Sequence, residues 1–88
     1  MKIKILDCSR IIFQGKIISI QAPGICGYFQ ILENHDNFIS ILKNGILNII
    51  KNQKLEEVHI KINSGILQVK NNFILIILDY TSFSIYEK

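Results

Sequence analysis

The sequence predicts an all-β protein, an antiparallel two-sheet sandwich or flattened barrel of about 8–10 short strands. Three observations predict it. Apolar and polar residues alternate with period two in several short runs, turn signals recur at intervals of about 8–12 residues, and no stretch has the length of a helix that crosses over a parallel sheet. Composition agrees, because 21 of the 88 residues are isoleucine and tryptophan is absent, and β-branched side chains suit a pleated, half-buried surface. A chain this short buries only about 60–65% of its unfolded surface. It makes one domain, placed at residues 1–80, with a short tail at 81–88.

Taken in order, Lys2-Ile3-Lys4-Ile5 alternates and reads as a strand, and Gln14-Gly15 as a turn ahead of a second alternating run, Ile18-Ser19-Ile20-Gln21-Ala22. Gly45-Ile46-Leu47-Asn48-Ile49-Ile50 is a further strand that ends at an Asn52-Gln53 turn. Glu56-Glu57 leads into Val58-His59-Ile60-Lys61-Ile62, whose strict alternation demands one apolar and one wet face, with His59 on the wet one. Ile66-Leu67-Gln68-Val69 and Phe73 through Leu78 are joined by Lys70-Asn71-Asn72, and asparagine tolerates the positive φ of a tight hairpin turn. Ser82-Phe83-Ser84-Ile85 alternates once more and suggests an added edge strand. The side chains expected inside are Ile18, Ile20, Leu47, Ile49, Val58, Ile60, Ile62, Leu67 and Val69, with Phe13, Phe29, Phe38 and Phe73 interleaved among isoleucines as core aromatics.

Residues 22–45 interrupt this rhythm. Gly24, Gly27, Gly45, the only proline and His35 gather there, so the segment reads as irregular, polar backbone beside otherwise regular sheet.

Several functions are excluded or weakened by what is missing. The net charge is +3, but the ten Lys and Arg residues are dispersed along the chain, whereas phosphate-binding surfaces cluster them. Cys8 and Cys26 have no CxxC or Cys/His ligand spacing and read as free thiols in a reducing cytoplasm, with no metal site. Asp7 and Arg10 break the first apolar stretch before it reaches signal-peptide length. The longest apolar run, Phe73 to Leu78, is about a third of the ~20 residues a membrane-spanning helix needs. Gly24-Ile25-Cys26-Gly27 lacks the third glycine and the helix of a nucleotide-phosphate site. His35 and His59 are 24 residues apart, neither in a catalytic signature. No catalytic, cofactor-binding or metal-binding residue is expected.

In the irregular segment, Ala22-Pro23-Gly24, Gly27, Phe29, Ile31-Leu32, His35, Leu42-Lys43, Gly45 and Leu47 follow one another at spacings that resemble the epsilon subunit of the F-type ATP synthase. Asn63-Ser64-Gly65-Ile66-Leu67-Gln68-Val69 is similar to that family's Ser-Gly-Gly-Phe/Ile-Leu-Glu-Val strand start, and Leu78-Asp79 falls where its last sandwich strand ends in Leu-Ala-Asp. Phe13-Gln14-Gly15 sits at the spacing of its Phe-x-Gly turn. The likeness runs without gaps from residue 1 to about 80. Where the family usually reads Gly-x-Phe-Gly-Ile-Leu-Pro-Gly-His-Ala-Pro, this chain has Gln30, Glu33, Asn34 and Asn37 in place of two glycines and two prolines. Asn34 is able to take the left-handed conformation in glycine's stead, while Gln30 is expected to alter backbone or clearance locally.

The resemblance implies a non-catalytic rotor part, peripheral to the cytoplasmic face of a bacterial inner membrane. It clamps the gamma subunit and rests on the membrane-embedded proton-carrying ring, so that ring rotation turns the shaft. Carried over position by position, Cys26, Tyr28 and Gln30 face the ring, and His35 and Ser40 lie near gamma. Tyr28 is expected as an interface side chain whose replacement by aspartate spares the thermal midpoint. Typical relatives continue into a helical hairpin, for which residues 80–88 leave no room. Two other readings stay open at this point: a free-standing sandwich that binds RNA through its lysines or binds another protein, and a small enzyme with His35 as base.

Overall fold

The computed structural model describes residues 1–8 and 10–79, and the backbone of Ser84–Glu87. Among the described residues ten strands are present: β1 (Lys2–Asp7), β2 (Arg10–Lys16), β3 (Ser19–Gly24), β4 (Gly27–Leu32), β5 (Phe38–Leu42), β6 (Gly45–Ile50), β7 (Glu57–Ile62), β8 (Gly65–Lys70), β9 (Phe73–Leu78) and β10 (Ser84–Glu87). They form two layers. Hydrogen bonds link them into one continuous sheet, β10-β7-β6-β3-β5-β8-β9-β1-β2 with β4 on β3, which folds so that β4-β3-β6-β7-β10 forms one layer, the first sheet, and β5-β8-β9-β1-β2 the second. The two join at a corner where Gly24 pairs with Leu42 and the Lys43 N–H donates to the Pro23 carbonyl at 2.9 Å.

Alternation along each strand sends one set of side chains between the layers. Ile3, Ile5, Ile20, Ile31, Leu47, Ile49, Ile60, Ile62, Leu67, Ile74 and Ile76 are all no more than 1% exposed. Phe13, Phe29 and Phe38 are half-buried against this core. Asn71 and Asn72 take φ values of 53° and 63° and turn β8 into β9, as the hairpin reading required.

Four expectations need correction. Ile18 is 37% exposed and Ile17 is buried in its place, because the chain bends at 17–18 and β3 starts only at Ser19. Gln14 and Gly15 are not a turn but part of β2, where Gly15 pairs with Ile3. Phe73 is 38% exposed; it opens β9 opposite Lys70, on the outward side of the pleat. The segment 22–45 is mostly regular, since it contains β4 and β5 and departs from strand geometry only at the Ile25-Cys26 tip, at 33–37 and at 43–44. Gln30 sits in that regular β4, paired with Gln21.

The pairing is antiparallel apart from β1 beside β9, which is parallel. No crossover helix is needed there, because nearly the whole chain lies between the two strands. The expected tail strand is present as β10, antiparallel to β7, while Ser82 and Phe83 lie outside the described residues.

Candidate functional site

The β3–β4 hairpin ends in a tight turn at Ile25-Cys26, closed by the Gly24–Gly27 pair, with Gly27 at φ 127°. Folding back this sharply brings the hairpin tip beside the edge of β5. An open groove results, lined by Ile25, Cys26, Tyr28, Ile39, Ser40 and Ile41. Three of the residues singled out from sequence, Cys26, Tyr28 and Ser40, therefore come together.

Tyr28 is half-exposed at 50%, yet its ring is not loose. It pairs across the hairpin with Pro23, and its hydroxyl accepts a hydrogen bond from the Ile46 N–H at 3.0 Å. Gly45 makes room for this: a Cβ there would lie 2.7 Å from both the Tyr28 hydroxyl and Pro23 Cβ. Tyr28 thus carries a structural duty besides any interface role, contrary to the expectation that stability is indifferent to it. Tyr28→Phe should lose about 0.5–1.5 kcal/mol of stability, read as a lowered urea midpoint at unchanged slope.

Gln30 and His35 lie elsewhere. Gln30 ends a polar row, Gln30–Gln21–Asn48–His59, across the outer face of the first sheet. The Asn48 amide donates to Gln21 Oε1 at 3.3 Å, and His59 Nε2 donates to Glu57 Oε1 at 2.8 Å. His35 sits in the 33–37 turn, where its Nδ1 donates to the Asp36 carbonyl at 2.8 Å and its ring rests 4.9 Å from that of Phe38. Asn34, at φ 63°, supplies the left-handed residue of that turn. The turn is tied to the β8–β9 hairpin in both directions: the Asn34 N–H donates to Asn72 Oδ1, and the Asn71 N–H to Asn37 Oδ1, each at 2.9 Å. Asparagines here hold a turn by side-chain bonding.

Two further features were missed by sequence reasoning. Ile41, Ile66, Ile77, Leu6 and Ile11 pair in succession across all five strands of the second sheet, and four of them are 47–57% exposed. The signal was present in Phe73-Ile74-Leu75-Ile76-Ile77-Leu78, which is apolar on both faces where a half-wet strand alternates. Lysines dispersed in sequence also meet in space, since Lys70, Phe73, Lys2 and Lys16 form one row.

Among the described residues no three His, Cys, Asp or Glu side chains are grouped to hold a metal ion. The Cys8 thiol is raised above its ordinary range, by desolvation first and then by the hydrogen bond to Asp7 and the Asp7 charge, with Arg10 opposing. That keeps it a thiol rather than a nucleophilic thiolate. Among the described residues no helix is long and apolar enough to cross a membrane.

A small β-sandwich with a row of aliphatic side chains exposed on one sheet face is the class of domain that this structure defines. Comparison specifies it further. The chain belongs to the family of the ATP synthase Delta/Epsilon chain, beta-sandwich domain, whose sequence model matches residues 1–82. It is 31% identical over 80 residues to the ATP synthase epsilon chain of Leptospira borgpetersenii, an alignment covering 91% of this chain and 61% of that one. The chain thus spans about six-tenths of that relative's length. With the ATP synthase epsilon chain of Chlorobium limicola it shares 28% identity over 81 residues, covering 92% of this chain and 91% of the other. Its fold matches a chain in the cryo-EM structure of the Euglena gracilis mitochondrial ATP synthase (OSCP/F1/c-ring, rotational state 1) with a TM-score of 0.83 at 16% identity, over 94% of this chain and 51% of that one.

Proposed function

We propose that the protein is a non-catalytic central-stalk subunit of an F-type ATP synthase. It joins the gamma subunit to the proton-carrying ring and couples proton transport to ATP synthesis. The observation that carries this reading is the family match over residues 1–82, on a sandwich that presents Cys26, Tyr28 and Ser40 around one groove. Cys26, Tyr28 and Gln30 face the ring, and His35 and Ser40 face gamma. The subunit sits peripherally at the cytoplasmic face of the bacterial inner membrane, held there only through the complex.

Coupling resides in the grip of the sandwich and does not need the helical hairpin of longer relatives. The near-complete coverage of the Chlorobium limicola chain supports this. Reconstitution of the soluble ATPase with and without the protein tests it: hydrolysis should be little changed and insensitive to any ATP-dependent relief. Strong inhibition that responds to ATP, or micromolar ATP affinity of the chain alone, would defeat the reading.

One observation favours a second reading, an RNA-binding sandwich. Lys70, Lys2 and Lys16 surround exposed Phe73 in one row, and a basic surface with an aromatic platform suits single strands. Salt separates the two. RNA affinity should fall steeply from 50 to 200 mM salt, whereas a stoichiometric complex with gamma should persist in moderate salt.

A further inference from the structure

Eight asparagines occur in the chain, and Asn44 alone is followed by glycine. Several of the others have committed side chains: Asn37 and Asn72 accept from backbone N–H groups, and Asn48 and Asn52 donate to Gln21 and Glu56. Asn44 is exposed, and among the described residues its amide has no hydrogen-bond partner. It stands at the corner where the chain passes from β5 in the second sheet to β6 in the first.

The glycine that follows is fixed in place but weakly tied. A Cβ at Gly45 would lie 2.7 Å from both the Tyr28 hydroxyl and Pro23 Cβ, so no side chain fits there, and none shields the Gly45 nitrogen. Gly45 pairs with Ile62 at the open end of the β6–β7 ladder. On its other side β3 reaches β6 only from Asn48 to Ile50, and the Ile46 N–H turns to the Tyr28 hydroxyl instead. A ladder end held in this way opens without disturbing the core.

From this juxtaposition we infer that Asn44–Gly45 is a self-modifying site, where the chain deamidates with water as the only co-reactant and the product unlatches Tyr28. The Gly45 nitrogen gives up its proton and attacks Asn44 Cγ. A C–N bond forms, the Cγ–Nδ2 bond breaks, and Nδ2 takes a proton and leaves as ammonia. Water then opens the five-membered imide at either carbonyl. Opening at the backbone carbonyl gives an isoaspartyl link, and opening at the other gives ordinary aspartate. Either way a neutral amide becomes a carboxylate, so the net charge falls from +3 to +2.

The isoaspartyl link inserts one carbon into the backbone ahead of Gly45, a displacement of about 1.5 Å. Packed against Pro23 and Tyr28, Gly45 has no slack to absorb it. The shift carries Ile46 along and breaks the 3.0 Å bond from its N–H to the Tyr28 hydroxyl, which frees a ring that lines the groove beside β5. The inference does not depend on which partner that groove meets.

The test is to age the folded full chain at mildly alkaline pH and to locate isoaspartate by enzymatic methyl labelling and peptide mass mapping. Position 44 should carry most of the label, ahead of the exposed Asn63–Ser64 pair, at a rate that rises with hydroxide, and Asn44→Gln should abolish it. In the isoaspartyl product the Ile46 amide should exchange about two- to tenfold faster. Asn44→Asp, with the same charge but no added carbon, should leave that amide unchanged. If Asn44 stays intact in the folded chain while the urea-unfolded chain reacts there, the fold protects the site and the proposal fails. Label concentrated at Asn63 also overturns it. Ile46 exchange unaltered in the isoaspartyl product, or accelerated equally by Asn44→Asp, would overturn the link to Tyr28.

Discussion

Replacing Ile60 with alanine should cost about 2–5 kcal/mol of folding stability, a large share of what a domain this size has. Ile60 is fully buried and pairs with Leu47 on β6, so truncation removes its transfer free energy and leaves a cavity between sheets that close only partly around it. Lys61→Ala, one residue on and on the wet face, should stay within about 0.5 kcal/mol. Because tryptophan is absent, circular dichroism in a urea titration is the natural measurement. A near-neutral Ile60→Ala would mean that β7 is shifted by one residue, since a single-residue slip exchanges the faces of a strand.

A second large effect is expected at Gly65. This glycine opens β8 opposite Leu78, and a Cβ built there would stand 2.6 Å from the Ile77 carbonyl oxygen, 3.1 Å from Leu78 Cδ2 and 3.2 Å from Leu78 Cα. The closest atom is backbone, so no rotamer change relieves the contact. Gly65→Ala should therefore destabilise by about 1–3 kcal/mol and disturb the end of the β8–β9 pairing. Faster amide exchange confined to Ile66, Ile77 and Leu78 would report the disturbance. An alanine variant as stable as the parent, with those amides unchanged, would mean that the two strands stand further apart here than described.

Much of this fold was legible because alternation and burial have the same cause. Val58-His59-Ile60-Lys61-Ile62 announced both its strand and its inner face, and Asn71-Asn72 announced a hairpin because few other residues accept two successive positive φ values. β2 was not legible: Ile11, Ile12 and Phe13 are apolar in succession, and the register shift opposite Ile5/Leu6 removes the period that would have revealed it. β4 and β5 were hidden by glycine, proline and histidine, which read as loop although Gly24 and Gly27 only close the tip between strands. The groove brings together residues 12 positions apart, Tyr28 and Ser40, because of hairpin geometry that spacing alone does not encode. The isoleucine ladder escaped for a different reason. An outward-facing aliphatic residue has the same chemistry as a core one, and sequence pattern alone does not tell the two apart.

The parallel pairing of β1 with β9 also has a consequence in time. Ile5 finds its neighbour Ile76 about seventy positions later, so at about 5–20 residues per second the ribosome needs roughly 4–14 s to supply it. β1 and β2 are able to pair early as a local hairpin, but such a ribbon is marginal in water on its own, and Ile3 and Ile5 stay uncovered until the C-terminal third emerges. Long-range closure of this kind slows folding relative to local contacts and prolongs exposure of an isoleucine-rich strand to other nascent chains. Of the ten described strands, the one synthesised earliest is thus among the last to be covered.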